Sequence, residues 1–340
     1  MVKTCEFNAT RDFQFAQSFE GFEGVLHVFN ADWHGVRAAS AYAPGHKLAI
    51  SERDGLDGEA IRHVFGIISK FRINRVVFQA YSHVASNLCE SIHRQFGQGV
   101  KIHVITHVTA TQFENQFEME MQALLLQQLA KGIVHRIGSV KPRFNEVISA
   151  CWEGTLLNFS PNIGELTARM NTVEGSAFVP IENSWRKNLY TNMIAVHNCE
   201  AISSVFSVNF PTGLNKIRTL DKLSLTSFKR GVDLLGFMAS MEVLMNVTLA
   251  ECQPMTQLEA FAVGTPCLTG PLRLAEFEGD ELLALCEVEE VDSPHFLTKA
   301  LDKVIAVGRQ EDGELQQMIS AHLEQRNLMA ALSYAEFLSL

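Results

Sequence analysis

Residues 246–269 read NVTLAECQPMTQLEAFAVGTPCLT, and this stretch decides the fold class. An apolar run ends shortly before Glu251, a loop continues as far as Pro254, and an amphipathic stretch then leads to Gly264. Pro254 suits the start of a helix, where no backbone N–H partner is needed. The order predicts a helix over residues 255–263 between two strands. A strand, a loop and a helix in this order form the repeating unit of a parallel α/β sheet.

Short apolar runs alternate with helical patterns along both halves of the chain. In the first half, the predicted strands cover residues 24–29, 47–50, 75–78, 101–105 and 133–140, and the predicted helices cover 58–71, 83–96, 115–131 and about 142–151. In the second half, the predicted strands cover residues 177–181, 205–209, 232–237, 243–249 and 265–269, and the predicted helices cover 189–201, 255–263 and 311–337. This order predicts two doubly wound α/β domains in series, with ligands at the carboxyl ends of strands that face a central cleft.

The composition is typical of a globular protein with two cores. The chain has 340 residues, of which 47% are hydrophobic, and it carries a formal net charge of −10. This length favours two domains of about 150 to 180 residues each. The acidic balance argues against a broad basic face for a nucleic-acid backbone. A small basic pocket for one nucleotide diphosphate remains compatible with it, because a few local cations are enough.

Cysteine usage and hydropathy indicate the compartment. The seven cysteines are scattered and no CxxC pair occurs, so we expect reduced thiols rather than a disulfide framework or a zinc site. The N-terminal residues lack the apolar core of a signal peptide. The most apolar long stretch, residues 232–250, is interrupted by Asp233, Glu242 and Asn246 and is not expected to span a membrane. We therefore expect a cytoplasmic protein, with a homodimer left open.

The loop and helix start of the opening stretch also predict an anion site. The first backbone N–H groups of a helix, here those of Met255 and Thr256, favour a phosphate group. Glu251 in the loop and Glu259 in the helix flank this position. Carboxylates are poor phosphate ligands, but each can accept two hydrogen bonds from sugar hydroxyls. The arrangement suits an anion with a hydroxyl-rich group on both sides, as in a nucleotide sugar. The alternative is an ordinary strand–loop–helix with two incidental acids.

The same stretch resembles the E-x7-E motif of retaining GT-B glycosyltransferases, usually written E-G-F-G-x-x-x-x-E-A-x-A-x-G-x-P. The chain departs from this motif at residues 252–254, where Cys-Gln-Pro replaces Gly-Phe-Gly. The resemblance implies a GT-B fold, in which Glu251 lies near the hydroxyls of the donor sugar and Glu259 binds the nucleotide ribose. The matching positions are Glu251, Glu259, Ala260, Ala262, Gly264 and Pro266.

A second part of the family pattern concerns the first strand of the C-terminal domain. Family members usually follow this strand with an arginine and, five residues later, a lysine that precedes a glycine, and both cations hold the donor diphosphate. Lys187 takes the lysine position here, but Glu182 stands where the arginine is expected, and Arg186 is the nearest replacement. Two positive charges would stabilise a leaving group that gains negative charge. The alternative is a solvated helix start with exposed basic residues.

Three residues of the N-terminal half fit the same resemblance. Gly35 follows the first strand and resembles the glycine of the family loop that approaches the diphosphate. His34 precedes it and is either a polar cleft residue or an ordinary loop histidine. His107 follows the strand at residues 101–105, where many family members carry a histidine that touches the donor sugar. The alternative for His107 is a structural histidine with its hydrogen bonds satisfied.

The sequence offers no metal site. His103 and His107 lie about 13 Å apart on a strand that rises about 3.3 Å per residue, too far to share one ion. No Asp-x-Asp run is present either. The resemblance implies metal-independent transfer with retention, no bound cofactor, and a nucleotide-diphosphate sugar such as a UDP- or GDP-sugar as co-substrate. The acceptor stays open between a glycan, a small molecule and a protein.

The resemblance also implies a domain order. An acceptor-side domain is expected over residues 1–165 and a nucleotide-sugar domain over residues 166–320, followed by a helix over 321–340 that packs back on the first domain. Two other functions stay open. One is a sugar-nucleotide epimerase or hydrolase on the same fold. The other is a non-catalytic GT-B partner subunit, with which Glu182 in the arginine position would be compatible.

Overall fold

The chain forms two compact units. The computed structural model describes residues 5–7, 11–53, 55–163, 172–310 and 313–340. Unit 1 comprises Met1–Phe159 and Asn327–Leu340, and unit 2 comprises Ser160–Arg326. The boundary expected between residues 165 and 166 lies outside the described residues.

Unit 1 is an α/β unit built on one sheet. Its strands are β1 (Cys5–Phe7), β2 (Val25–Asn30), β3 (His46–Ile50), β4 (Arg75–Gln79), β5 (Lys101–Thr106) and β6 (Arg136–Ser139). Its helices include α1 (His34–Tyr42), α2 (Gly58–Lys70), α3 (His83–Phe96) and α4 (Gln116–Ala130). The strand order is β1-β3-β2-β4-β5-β6. Only β1 of this sheet pairs antiparallel, with β3, and the other described pairs are parallel.

Unit 2 is a second parallel α/β unit. Its strands are β7 (Val173–Val179), β8 (Ser204–Ser207), β9 (Leu223–Leu225), β10 (Met241–Asn246) and β11 (Cys267–Thr269). Its helices include α5 (Leu189–Asn198), α6 (Gly231–Ala239), α7 (Met255–Ala262), α8 (Glu281–Cys286) and α9 (Pro294–Gly308). The strand order is β11-β10-β7-β8-β9, with parallel pairing between the described strands. The last helix, α10 (Glu314–Leu338), begins in unit 2 and ends in unit 1.

The two faces of the unit 1 sheet differ in polarity, because successive side chains of a strand point to opposite faces. One face packs on α2, α3 and α4 and forms an apolar core that includes Leu26, Val28, Val76, Phe78, Ile102 and Val104. The other face carries His27, Gln79 and His103. The end of α10 covers this second face, where Tyr334 lies against His27 and Phe337 lies against His103.

Polar side chains fix the starts of the helices in unit 1. Asp57 accepts hydrogen bonds from two backbone N–H groups at the start of α2. Ser82 and Asn115 do the same, with one N–H group each, for α3 and α4. Such caps stabilise a helix by about 1 kcal/mol each. They also determine where each strand-to-helix loop ends.

The sheet topologies confirm the predicted fold class of two parallel α/β units, but two predicted elements were wrong. Residues 232–237, predicted as a strand, belong to the helix α6. Consecutive parallel strands of one sheet need a crossover connection, and α6 lies in the connection from β9 to β10, which are separated in the sheet by β7 and β8. Residues 142–151, predicted as a helix, form only a 3₁₀ turn (Phe144–Glu146), and Arg143 before it has a φ of 57°, which an α-helix through this residue does not allow.

No helix within the described residues combines the length and the apolar character that a membrane span requires.

Candidate functional site

The carboxyl end of β7 leads into a short turn that carries two cations. A 3₁₀ helix (Trp185–Lys187) follows β7, and α5 begins soon after it. The residue between these helices, Asn188, has a φ of 60°. Asparagine adopts this left-handed conformation more readily than most residues. A residue in the left-handed conformation thus follows Lys187 directly, at the position where the family pattern has a glycine.

Two buried asparagines fix the end of β10 against the start of α5. Asn188 donates from Nδ2 to the carbonyls of Val247 (3.3 Å) and Val291 (2.6 Å). Asn192 donates to the carbonyl of Val247 at 2.8 Å and accepts from its N–H group at 3.2 Å. The sequence interpretation missed both residues. The signal was two asparagines four positions apart on the apolar side of a helix start.

The loop after β10 lies against the 3₁₀ turn and brings the two cations to Glu251. The Leu249 N–H group donates to the carbonyl of Arg186 at 2.9 Å, and Arg186 Nη1 donates to the carbonyl of Ala250 at 2.8 Å. Lys187 Nζ donates to Glu251 Oε2 at 2.6 Å, and Arg186 Nη1 lies 4.0 Å from the same oxygen. Three residues predicted from two distant parts of the sequence are thus neighbours in unit 2.

The cluster of Arg186, Lys187 and Glu251 carries an excess of positive charge and is partly exposed to solvent. Lys187 and Arg186 carry two positive charges against the one negative charge of Glu251. The side chains are 19% exposed for Arg186 and 20% exposed for Lys187 and Glu251. The second carboxylate oxygen of Glu251 accepts from the Cys252 N–H group at 3.2 Å, which fixes the orientation of the carboxylate. An anionic ligand can therefore compete with Glu251 for Lys187.

Helix α7 begins directly after this loop, as predicted. Pro254 is its N-cap residue and makes no side-chain cap hydrogen bond. Met255 is buried and Thr256 is half-buried in the first turn. Glu259, in the second turn, is only 7% exposed. The helix ends just before Gly264, whose φ of 80° is left-handed.

The departure from the family motif at residues 252–254 has a structural counterpart. Gln253 is buried, and its Oε1 accepts from Nη2 of Arg326 on α10 at 2.5 Å. The guanidinium of Arg326 lies 5.3 Å from the centre of the Phe277 ring. Burial lowers the pKa of Arg326 to about 10, against the opposing effect of three nearby carboxylates. The polar residue at position 253 thus anchors the loop that follows Glu251, and no local sequence signal indicated this pairing.

His34 and Gly35 form the exposed first residues of α1 in unit 1. The N-cap residue Trp33 makes no side-chain cap hydrogen bond. A Cβ atom added at Gly35 would meet no atom within 4 Å, and its φ is not in the left-handed region. The fold itself therefore does not require a glycine at this position.

His107 follows β5 in unit 1 and is half-buried. Its Nε2 lies 2.7 Å from Oε1 of Gln79, the last residue of β4. Burial lowers the pKa of His107 to about 4, so its ring is neutral at neutral pH. His107 therefore acts as a neutral hydrogen-bonding group rather than as a cation.

The predicted site residues fall into two groups. Unit 2 holds one group, which is Arg186, Lys187, Glu251, Met255, Thr256 and Glu259, and unit 1 holds the other, which is His34, Gly35 and His107. Within the described ranges, no group of three or more His, Cys, Asp or Glu side chains is arranged to hold a metal ion.

No protein-family model and no curated protein matches the chain. Solved structures do match it over nearly the whole length. Sucrose-phosphate synthase from Thermosynechococcus elongatus is 11% identical, with a TM-score of 0.60 over 93% of this chain and 99% of that chain. HepE from Anabaena, solved in complex with UDP, is 9% identical, with a TM-score of 0.57 over 92% of this chain and 99% of that chain.

A third match is a putative UDP-N-acetylglucosamine 2-epimerase from Listeria monocytogenes. It is 10% identical, with a TM-score of 0.54 over 93% of this chain and 97% of that chain. At these identities the likenesses are evidence of fold alone. With its two parallel-sheet α/β units, this chain has the fold of the GT-B glycosyltransferases.

Proposed function

We propose that this chain is a glycosyltransferase that moves a sugar from a nucleoside diphosphate sugar to an acceptor hydroxyl group, with retention and without a metal ion. The observation that carries the proposal is the 2.6 Å contact of Lys187 with Glu251 directly before the start of α7. It joins a cation, a carboxylate and a helix N-terminus within one loop. The fold likeness to a protein solved with UDP supports the same assignment.

In this proposal, unit 2 binds the diphosphate with two cationic side chains and with backbone N–H groups. Lys187 and Arg186 contact the phosphate oxygens, and the first N–H groups of α7, at Met255 and Thr256, donate to them. The helix dipole adds a partial positive charge at the same end. When the diphosphate takes over Lys187, the carboxylate of Glu251 becomes available to accept hydrogen bonds from sugar hydroxyls. Glu259 accepts from the ribose hydroxyls.

The same groups account for the transfer step. The bond between the sugar C1 and the phosphate oxygen breaks, and its electron pair goes to the diphosphate. The acceptor oxygen forms the new bond to C1 on the same face, and its proton passes to an oxygen of the leaving diphosphate. Negative charge on the diphosphate is largest after bond cleavage has begun. Lys187 and Arg186 therefore stabilise the transition state more than the bound donor.

The test begins with nucleotide binding. Thermal unfolding is followed with UDP, GDP and ADP, and a ligand that binds the folded chain raises the midpoint by mass action. A panel of nucleotide sugars is then incubated with candidate acceptors and read by mass spectrometry, and NMR gives the anomeric configuration of the product. No stabilisation by any nucleoside diphosphate would overturn the proposal.

Metal independence makes a separate prediction. We expect transfer to continue in EDTA, because two cations and a helix N-terminus can neutralise the diphosphate. Initial rates are measured with EDTA and with added magnesium or manganese. A complete loss in EDTA that either metal restores would contradict metal independence and leave transfer itself intact.

The likeness to a putative 2-epimerase favours one alternative on the same site. Without acceptor, an epimerase converts the nucleotide sugar into its epimer, whereas a transferase leaves the donor unchanged or slowly hydrolyses it to free sugar and nucleoside diphosphate. Incubation of the donor alone, read by NMR, distinguishes them. A chain that binds nucleotides but forms neither product would be a non-catalytic subunit.

A further inference from the structure

A row of buried polar side chains in unit 1 ends at His107. His27 Nε2 lies 2.9 Å from the carbonyl oxygen of Pro44, and His27 Nδ1 lies 3.0 Å from Nε2 of Gln79. Gln79 Oε1 in turn lies 2.7 Å from Nε2 of His107. His27 and Gln79 are at most 1% exposed. Solvent therefore does not reach the side chains of His27 and Gln79 to replace their hydrogen bonds.

The direction of the first two hydrogen bonds follows from the Pro44 carbonyl. A carbonyl oxygen only accepts, so His27 Nε2 must carry a proton and donate. Burial and the nearby Lys47 hold the pKa of His27 well below its ordinary value, so the ring is neutral. A neutral ring protonated at Nε2 has a lone pair on Nδ1. The amide nitrogen of Gln79 must then donate to His27 Nδ1.

The direction of the last hydrogen bond follows from Gln79. Its amide nitrogen carries two protons, one for His27 and one for the hydroxyl of Tyr334 at 3.2 Å. The amide oxygen is left to face His107, and it can only accept. His107 must therefore carry its proton on Nε2. Its Nδ1 is the unprotonated nitrogen, and no described residue hydrogen-bonds to it.

We propose that His27 and Gln79 are positioning residues that hold His107 as the Nε2–H tautomer, so that Nδ1 accepts a hydrogen bond from a hydroxyl group of a bound substrate. The hydroxyl belongs either to the donor sugar or to the acceptor. The identity of the substrate hydroxyl rests on the proposed function. The tautomer of His107 follows from the hydrogen bonds of His27 and Gln79 and does not depend on that function. His107 then receives a hydrogen bond or a proton at Nδ1 and does not donate from that atom.

The tautomer is measured first, on the unliganded protein. Long-range ¹H–¹⁵N NMR correlations separate protonated from unprotonated ring nitrogens, and the His107 signals are those missing from His107→Ala. We expect a proton on Nε2 and none on Nδ1. A proton on Nδ1 in the native chain would overturn the proposal, whether or not the chain transfers sugar.

Two variants test the positioning role. In His27→Phe, the Gln79 amide loses the partner that fixes it and can rotate by 180°, so we expect a mixture of tautomers at His107. Gln79→Leu removes the acceptor of the Nε2 proton and should give the same mixture. The matched control is Gln128→Leu, which removes a buried amide that donates to Ser86 at 2.6 Å in the same unit. The control should keep the single Nε2–H tautomer.

Turnover separates positioning from a loss of stability. We expect His27→Phe and Gln79→Leu to lower kcat by about tenfold or more, because a histidine in the wrong tautomer presents a proton where it must accept one. Their affinity for a nucleoside diphosphate should stay unchanged, and Gln128→Leu should keep the native kcat. If both variants retain one tautomer and the native kcat, the proposal fails.

The source of the hydroxyl is decided by His107→Ala. If donor hydrolysis without acceptor slows as much as transfer does, Nδ1 meets the donor sugar. If only transfer slows, Nδ1 meets the acceptor. If neither slows, no substrate hydroxyl contacts Nδ1 and that part of the proposal fails. A native chain that has the expected tautomer but transfers no sugar would overturn the proposed function alone.

Discussion

Lys187 and Glu251 form a short ion pair that is partly exposed to solvent. Their charged atoms are 2.6 Å apart, and about a fifth of each side chain is exposed. Partly exposed pairs of this kind stabilise a fold by about 1 kcal/mol or less. A diphosphate can therefore replace Glu251 at little cost to stability. We infer that the pair keeps both side chains oriented for ligand binding.

The two cations should affect turnover more than donor binding. We expect Lys187→Ala and Arg186→Ala each to lower kcat by about 10²-fold or more and to raise the donor KM less, because charge on the leaving group grows in the transition state. Steady-state kinetics measures both constants. Lys216→Ala is the matched control, since Lys216 is an exposed lysine of the same unit. Native kcat in both variants would mean that these residues are only a solvated helix start.

The two glutamates should affect different quantities. Glu259→Ala should weaken the binding of free nucleoside diphosphate by roughly one to three kcal/mol, the scale of a charge-assisted hydrogen bond. Glu251→Ala should keep or raise this affinity, because it removes the carboxylate that competes for Lys187, and it should lower turnover of the sugar donor. Calorimetry gives the affinities. Unchanged nucleotide affinity in a folded Glu259→Ala variant would remove the ribose assignment.

At the scale of elements, strongly patterned segments were predictable and short connections were not. Helix α3 has the predicted bounds, because Ser82 caps it and its apolar residues recur at helical spacing. Helix α6 was missed, because only Leu235 and Met238 of its nine residues are buried and its sequence reads as an apolar run. The strand β9 is three residues long at the edge of its sheet, too short for a periodic signal.

In the candidate site, too, some residues were predictable from local sequence spacing and others depend on tertiary contacts. Lys187, Glu251 and Glu259 follow from motif spacing, which is local in the sequence. The contact of Gln253 with Arg326 joins residues 73 positions apart. No pattern within either segment encodes it, because tertiary packing alone brings α10 to the loop before α7.

We expect the hydrogen bond between Gln253, in the loop before α7, and Arg326, on α10, to stabilise the fold. Arg326→Met leaves the buried Gln253 oxygen without its donor, so we expect a loss of about 1 to 3 kcal/mol in the free energy of unfolding. Because the loop leads directly into the first turn of α7, whose N–H groups are proposed to bind the diphosphate, nucleoside diphosphate affinity should fall as well. Chemical denaturation and calorimetry measure the two effects. The control is Arg273→Met, which breaks an exposed 2.7 Å pair with Glu289 and should cost less than about 1 kcal/mol.

A double-mutant cycle tests whether the two residues act together. The effects of Arg326→Met and Gln253→Leu should not add, with a coupling free energy of about 0.5 to 3 kcal/mol. Additive effects would mean that Arg326 stabilises the fold without holding this loop.

At the scale of the whole molecule, the chain passes between the units twice. It leaves unit 1 after Phe159 and returns to it at Asn327, within α10. The helix predicted over residues 311–337 covers nearly all of α10. Sequence periodicity cannot show that one continuous helix belongs to two compact units, because its residues are assigned to them by tertiary contacts. The proposed roles divide between the units too, with cations and carboxylates in unit 2 and the row of polar residues that ends at His107 in unit 1.

Because the proposed roles are divided between the two units, substitutions in unit 1 and in unit 2 should have different effects. His107→Ala should leave nucleoside diphosphate affinity nearly unchanged, because the groups proposed to bind the nucleotide belong to unit 2. It should lower kcat by about 10- to 1,000-fold if the ring interacts with the reacting sugar. Because burial lowers the pKa of His107 to about 4, the ring is neutral throughout the neutral pH range and the defect should be the same across that range.

Glu259→Ala should show the reverse pattern, with affinity reduced first. The two variants serve as controls for each other, since misfolding would lower the affinity and the turnover of either one together. Calorimetry with the nucleoside diphosphate and initial rates with the full donor are measured on the same preparations. If His107→Ala binds the nucleotide normally and transfers sugar at the native rate, His107 is a structural histidine. Among the predicted site residues of unit 1, His34 at the exposed start of α1 is then the next to substitute.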